Sequence, residues 1–138
     1  MARILVIDDE PDVLLLCRVN LSHAGYQVLE ALDGWSGMEL ARAERPDLII
    51  LDLMLPGMDG MAVLRELADD ERTRSIPVLM LTAKTQLEDR ERCRDAGAAA
   101  FLTKPFSPVR LTELVETLTR TTPSELVGRE DVPELLLS

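Results

Sequence analysis

Five polar side chains stand at or just beyond the ends of short apolar runs. Asp8 and Asp9 follow Ile4-Leu5-Val6-Ile7, Asp52 follows Leu48-Ile49-Ile50-Leu51, Thr82 follows Val78-Leu79-Met80-Leu81, and Lys104 lies beyond the weaker run at 99–102. If those runs are neighbouring strands, three carboxylates, a hydroxyl and an ammonium meet at one sheet edge. Two like charges about 4 Å apart repel by about 4 kcal/mol at an effective dielectric near 20, so such a cluster calls for a counter-charge. A hard divalent cation supplies one, and Mg²⁺ (or Mn²⁺ in its place) binds through one or two carboxylates while keeping several waters. Lys104 offsets a further charge. A carboxylate beside Mg²⁺ and an ammonium is a competent nucleophile toward a phosphoryl group. Catalysis of that transfer is positioning plus neutralisation of charge on the equatorial oxygens, and the cation, Thr82 and Lys104 could each take one. Asp8 and Asp9 could instead cap the helix that follows, although Pro11 at its first position makes Glu10 the more natural cap. Asp52, inside Leu51-Asp52-Leu53-Met54-Leu55, is an acid at an apolar strand end and is the hardest of the five to read as structural.

The elements that must position these groups alternate along the chain. Continuous apolar runs of four residues fit strands buried on both faces, as in a parallel sheet. A further weak run occupies 26–29. Between the runs lie amphipathic stretches with start signals: Pro11 for a helix ending near Gly25, Asp33 and Asp59 as caps of a second and third, and Ser107-Pro108 opening a fifth with Leu111, Leu114, Val115 and Leu118 on one face. Thr85-Gln86-Leu87-Glu88 has capping-box spacing and opens a fourth helix poor in apolar residues, mainly Leu87, Cys93 and Ala96. The pattern predicts an α/β fold, βαβαβαβαβα, with helices on both faces of a doubly wound five-stranded parallel sheet. Ligands of such sheets bind beyond the carboxyl ends of the strands, at a topological switch point.

The 138 residues, 46% apolar and 29% charged, suit one domain and exclude disorder as the default. A net charge of −10 disfavours direct contact with nucleic acid or an anionic membrane. No apolar run reaches 18 residues. Met1-Ala2-Arg3-Ile4 leads into the first strand without a signal-peptide pattern, so a cytoplasmic location is expected. Cys17 and Cys93 lack metal-ligand or redox spacing and read as buried thiols. His23 reads as a charge at a helix end, Trp35 as packing at the start of the second helix, and Asp69-Asp70-Glu71 as a solvated loop. Arg90, Arg92 and Arg94, interleaved with acids, form a mixed-charge face.

Over roughly residues 2–120 the sequence resembles the receiver domain of two-component response regulators. The resemblance rests on residues 4–11, on 47–52 with Leu53-Met54-Leu55-Pro56-Gly57-Met58-Asp59-Gly60, on Leu81-Thr82-Ala83, on Gly97-Ala98 and on Lys104-Pro105-Phe106. It implies a flavodoxin-like sheet of order 2-1-3-4-5. It implies Asp52 as phosphoacceptor, Asp8 and Asp9 as the Mg²⁺-binding pair, and the Met54 backbone carbonyl as a third protein ligand. Thr82 and Lys104 match the groups that bind the phosphoryl oxygens, Lys104-Pro105 the cis peptide, and Phe101 the aromatic that rotates inward when Thr82 moves toward the phosphoryl group. The sparsely apolar fourth helix would then repack, and its surface with the last strand and last helix would be read by a partner. The partners implied are a sensor histidine kinase or histidine phosphotransfer protein upstream, and a protein target or attached output domain downstream. A homodimer formed on phosphorylation is also compatible. Ala99 and Ala100 stand where many DNA-binding members carry an acidic pair for dimer salt bridges. Met54 and Lys84 occupy the two positions that tune dephosphorylation, and Met54 cannot orient an attacking water.

The expected organisation is a receiver domain at 1–121 and an acidic tail or linker at 122–138. The protein would catalyse only its own phosphorylation and dephosphorylation. One alternative is a Mg²⁺-dependent phosphatase with an aspartyl-phosphate intermediate, which Met54 disfavours because it stands where a general acid is needed. The other is a phosphorylation-independent interaction module on the same fold.

Overall fold

The strands are short, mostly apolar and flanked by helices, and the chain order follows from that alternation. The computed structural model describes residues 2–83 and 89–120. The order is β1 (Arg3–Ile7), α1 (Pro11–His23), β2 (Gln27–Ala31), α2 (Gly34–Glu44), β3 (Leu48–Asp52), α3 (Gly60–Asp69), β4 (Val78–Ala83), α4 (Asp89–Asp95), β5 (Ala100–Lys104) and α5 (Pro108–Arg120). The strands pair in parallel in the order β2-β1-β3-β4-β5. Lys84, the Thr85-Gln86-Leu87-Glu88 box and residues 121–138 lie outside the described residues.

Side chains alternate across the sheet and divide the core in two. Leu5, Ile7, Ile49, Leu51, Val78, Met80 and Phe101 face α2, α3 and α4. Ile4, Val6, Leu48, Ile50, Leu79, Leu81, Ala100 and Leu102 face α1 and α5, where Leu111, Leu114, Val115 and Leu118 meet them. Burying each such Leu or Ile side chain contributes about 1.5–3 kcal/mol. This two-sided burial is why the strands read as unbroken apolar runs.

Helix starts follow the expected chemistry. Asp33 accepts the Ser36 N–H at 2.8 Å, Asp59 the Ala62 N–H at 2.9 Å, and Ser107 Oγ the Arg110 N–H at 3.1 Å. Strand bounds shift by one or two residues: β2 runs to Ala31, β4 to Ala83 and β5 to Lys104, because ladder pairing continues past the apolar run. Trp35 does not pack inward. It is 64% exposed, because α2 turns Gly34, Gly37, Met38 and Ala41 to the core and Ile7 fills the space above Gly37. Asp70 is not merely solvated: it pairs with Arg72 and Arg42, each at 2.9 Å, and the Arg72 hydrogen bonds hold its carboxyl well below the usual range. Cys17 and Cys93 are buried free thiols. Among the described residues no helix is long and apolar enough to cross a membrane.

Candidate functional site

The strand register brings the acids together. Ile7 pairs with Leu51, so Asp8 and Asp52 are the next residues on adjacent strands. They stand where the strand order reverses, between β1 and β3, with β2 to one side and β4-β5 to the other. Asp8, Asp52 and Lys104 continue the even-numbered series facing α1 and α5. Thr82 and Phe101 continue the series facing α2, α3 and α4.

Lys104 is the hub. Its Nζ lies 2.9 Å from Asp8 Oδ2, 3.0 Å from Glu10 Oε1 and 3.2 Å from Asp52 Oδ2. Directed hydrogen bonds run to Glu10 and Asp52, while Asp8 Oδ2 is held by charge without hydrogen-bond geometry. Asp8 is 0% exposed and Asp52 3%. Asp8 Oδ1 accepts the Glu10 N–H at 2.9 Å, and Asp52 Oδ1 accepts the Met54 N–H at 3.2 Å.

Burial pushes the Asp52 carboxyl up to about 6, helped by the neighbouring Asp8 charge and opposed by Lys104. Burial also raises Asp8, against its bond from the Glu10 N–H. For Lys104, burial alone would lower the ammonium's pKa, but the carboxylates of Asp8, Glu10 and Asp52 around it overcome that and hold the group above its usual value. Asp52 is therefore largely ionised at pH 7, desolvated and paired with a fixed cation.

The loop after β3 is pinned from several sides. Leu53 N–H donates to Leu81 O at 3.0 Å and Gly60 N–H to Leu53 O at 2.8 Å. A Cβ on Gly60 would lie 2.3 Å from Asp52 O and 2.6 Å from Leu53 Cα, both backbone atoms. Gly60→Ala is therefore expected to cost about 1–3 kcal/mol in urea unfolding by forcing α3 off this loop. An unchanged midpoint would show that the junction yields freely.

Carboxylate oxygens of Asp8, Glu10 and Asp52 lie within 4.8 Å of one another, whereas Asp9 is exposed and is not in this group. From sequence alone Glu10 reads only as a helix cap. It occupies the N-cap position of α1, yet its side chain makes no capping bond. Nothing local marks its role, because its partner lies 94 residues away. The Lys104–Pro105 peptide is cis.

All-oxygen, carboxylate-rich donors match a hard divalent cation, and the buried Asp8 Oδ2 lacks a hydrogen-bond partner. The site thus fits Mg²⁺ or Mn²⁺.

Thr82 is fully buried and its Oγ1 has no hydrogen-bond partner. Met80 pairs with Phe101 and Thr82 with Thr103, so Thr82 and Phe101 are diagonal neighbours on one face. Phe101 is already 0% exposed. Arg90 and Arg94 of α4 cover it at 5.9 and 6.0 Å, and Arg90 also bonds Thr103 Oγ1. These two arginines are more than a mixed-charge face.

A buried acid–lysine pocket at the switch point places this chain among the open, doubly wound α/β proteins, which bind ligands beyond the carboxyl ends of their strands. Comparison with known proteins narrows that class. The model of the response regulator receiver domain matches residues 4–116. RpaA of Synechocystis sp., a DNA-binding dual master transcriptional regulator, is 50% identical over 122 residues, 88% of this chain and 51% of RpaA. Protein PilH of Pseudomonas aeruginosa is 38% identical over 128 residues, 93% of this chain and 100% of PilH. Among solved structures, the receiver domain of sensor histidine kinase PA1611 from P. aeruginosa, with a magnesium ion coordinated in its active site cleft, is 32% identical. Its TM-score is 0.80 over 87% of this chain and 98% of that one. The chain belongs to the response regulator receiver domain family. It spans about half the length of RpaA and the whole of PilH.

Proposed function

We propose that this receiver, residues 1–121 with 122–138 as an acidic tail or linker, is a phosphorylation-activated switch with Asp52 as phosphoacceptor. The observation that carries the reading is Asp52 itself: 3% exposed at a strand end, 3.2 Å from the Lys104 ammonium and beside a second buried acid. An Asp52 oxygen forms the new P–O bond as the P–N bond of a phosphohistidine breaks. The electron pair stays on the imidazole nitrogen. Lys104 holds the carboxylate and then a phosphoryl oxygen, and Thr82 Oγ1 donates to another. Asp8, Asp9, Asp52 and the Met54 carbonyl would hold Mg²⁺ or Mn²⁺. When bound, the cation neutralises charge on the transferring group.

The added charge at Asp52, about −1.5 to −2, would draw Thr82 inward. That movement loosens the face it shares with Phe101, and through Arg90 and Arg94 it reaches α4. The upstream partner would be a sensor histidine kinase or histidine phosphotransfer protein in the cytoplasm. A groove of about 370 Å³ lined by Glu10, Val13, Leu16, Lys104, Pro105 and Phe106 opens beside the acids and suits a docking helix. Downstream, a protein target, an attached output domain or a second copy would read the α4–β5–α5 surface. Direct contact with nucleic acid or membrane is not part of this reading, nor is catalysis on a separate substrate.

Incubation with acetyl phosphate and Mg²⁺, followed by intact mass, tests it. One phosphate per chain is expected, abolished by EDTA. Met54 has no group to orient water, so the phosphoprotein should last minutes or longer. No increment would contradict the switch, and a half-life of seconds would contradict the slow hydrolysis.

A further inference from the structure

Lys104 is gripped by one carboxylate more than two buried acids need. Asp8 and Asp52 are almost wholly buried, but the Glu10 side chain is 57% exposed and still bonds Nζ at 3.0 Å. An ammonium has three N–H donors, and here three carboxylates face it. Glu10 reaches Lys104 instead of capping α1, although its backbone is extended as a cap requires. Its own N–H is taken by Asp8 Oδ1, so the backbone there is fixed and the side chain is aimed across the pocket mouth.

We propose that Glu10 is a displaceable latch on Lys104, a positioning residue that competes with the incoming phosphoryl group for the ammonium. The inference rests on Asp52 being the phosphoacceptor. A phosphoryl oxygen needs one donor from Lys104. Releasing Asp8 would strand a buried charge, which is costly. Releasing Glu10 returns a half-exposed carboxylate to water, where an ion pair is worth little. Glu10 is therefore the contact that gives way. While in place it restrains Lys104 and sets a negative charge before an anionic donor. Removing that charge speeds phosphorylation.

The test is the rate of phosphorylation of the full chain by acetyl phosphate at saturating Mg²⁺, with Mg²⁺ affinity measured separately by calorimetry. Glu10→Gln keeps the length and loses the charge. It should react about two- to fivefold faster than wild type, as loss of an exposed ion pair allows. The gain should shrink in high salt, because exposed charges are screened. Glu10→Asp, which keeps the charge, should stay closer to wild type, and Glu10→Ala should be accelerated like Gln. A structural role alone would not produce this order or this salt dependence. Equal or slower reaction of Glu10→Gln, or weakened Mg²⁺ binding as its main effect, would overturn the latch. Phosphate uptake by Asp52→Asn would instead overturn the reading beneath it.

Discussion

Replacing Lys104 with Met should cost the metal-free protein about 3–5 kcal/mol of unfolding stability at pH 7, the range for breaking a buried ion pair by removing one partner. The reason lies in what remains. Asp8 at 0% exposure and Asp52 at 3% would face each other without the ammonium that sits 2.9 and 3.2 Å away. Glu10 would return to solvent and lose little. The loss should shrink toward pH 5, because both carboxyls are already pushed upward by burial and would take up protons once the cation is gone. Added Mg²⁺ should recover part of it by binding only the native state, about 2.7 kcal/mol at a hundredfold excess over its dissociation constant. Urea unfolding in EDTA at pH 5 and 7, then with Mg²⁺, measures all three. A variant within about 1 kcal/mol of wild type at pH 7 would mean that the acids are not held as a buried charge cluster.

Asp52→Asn should do the opposite, stabilising the metal-free protein by about 3 kcal/mol at pH 7. The carboxyl is raised from an ordinary value near 4 to about 6, which at roughly 1.4 kcal/mol per unit is the cost of keeping it ionised in the fold. A group whose pKa is raised by folding binds its proton more tightly in the native state. Its contribution to stability is greatest below the unfolded value and is lost as pH rises through about 6. Wild type should therefore gain stability relative to the variant as pH falls from 7 to 5. Asn keeps the shape and cannot titrate, so the gap between the two proteins narrows to about half over that interval and closes only near pH 4. Parallel pH profiles, or a less stable Asn variant at pH 7, would show that Asp52 is not penalised in the fold. The acceptor would then be a carboxylate held at a cost in stability, a cost that metal or phosphoryl binding relieves.

The parts of this molecule readable from sequence are those fixed by short-range rules. Buried strands betray themselves by unbroken apolar runs such as Leu48-Ile49-Ile50-Leu51. Asp33 and Asp59 announce helices because a cap needs only its own next three residues. Asp52 stood out because an acid at an apolar strand end has few structural uses. The missed features depend on groups distant in the chain. Glu10 looked like a cap, and only the folded sheet brings it to Lys104. Trp35 reads as packing, but α2 presents Gly37 to β1 and Gly34 to Val63 of α3, and the indole is left outside. Asp70 looked solvated until Arg42, 28 residues earlier, joined Arg72 on it. Arg90 and Arg94, one helical turn apart, cover the Phe101 ring, a contact that no local pattern announces. Asp9, equal to Asp8 in sequence, differs from it in the fold because Asp8 still bonds Ala31 O at the strand end while Asp9 lies beyond that bond.

The identity of the phosphorylated residue is the decisive measurement. Treating the acetyl phosphate-labelled protein with borohydride reduces an acyl phosphate to the alcohol, converting the modified aspartate to homoserine, and peptide mass spectrometry then locates it. The assignment of Asp52 as phosphoacceptor requires homoserine at position 52 alone, dependent on Mg²⁺. Homoserine at Asp8 or Asp9, a label on another residue type, or an unmodified Asp52 in labelled protein would contradict it.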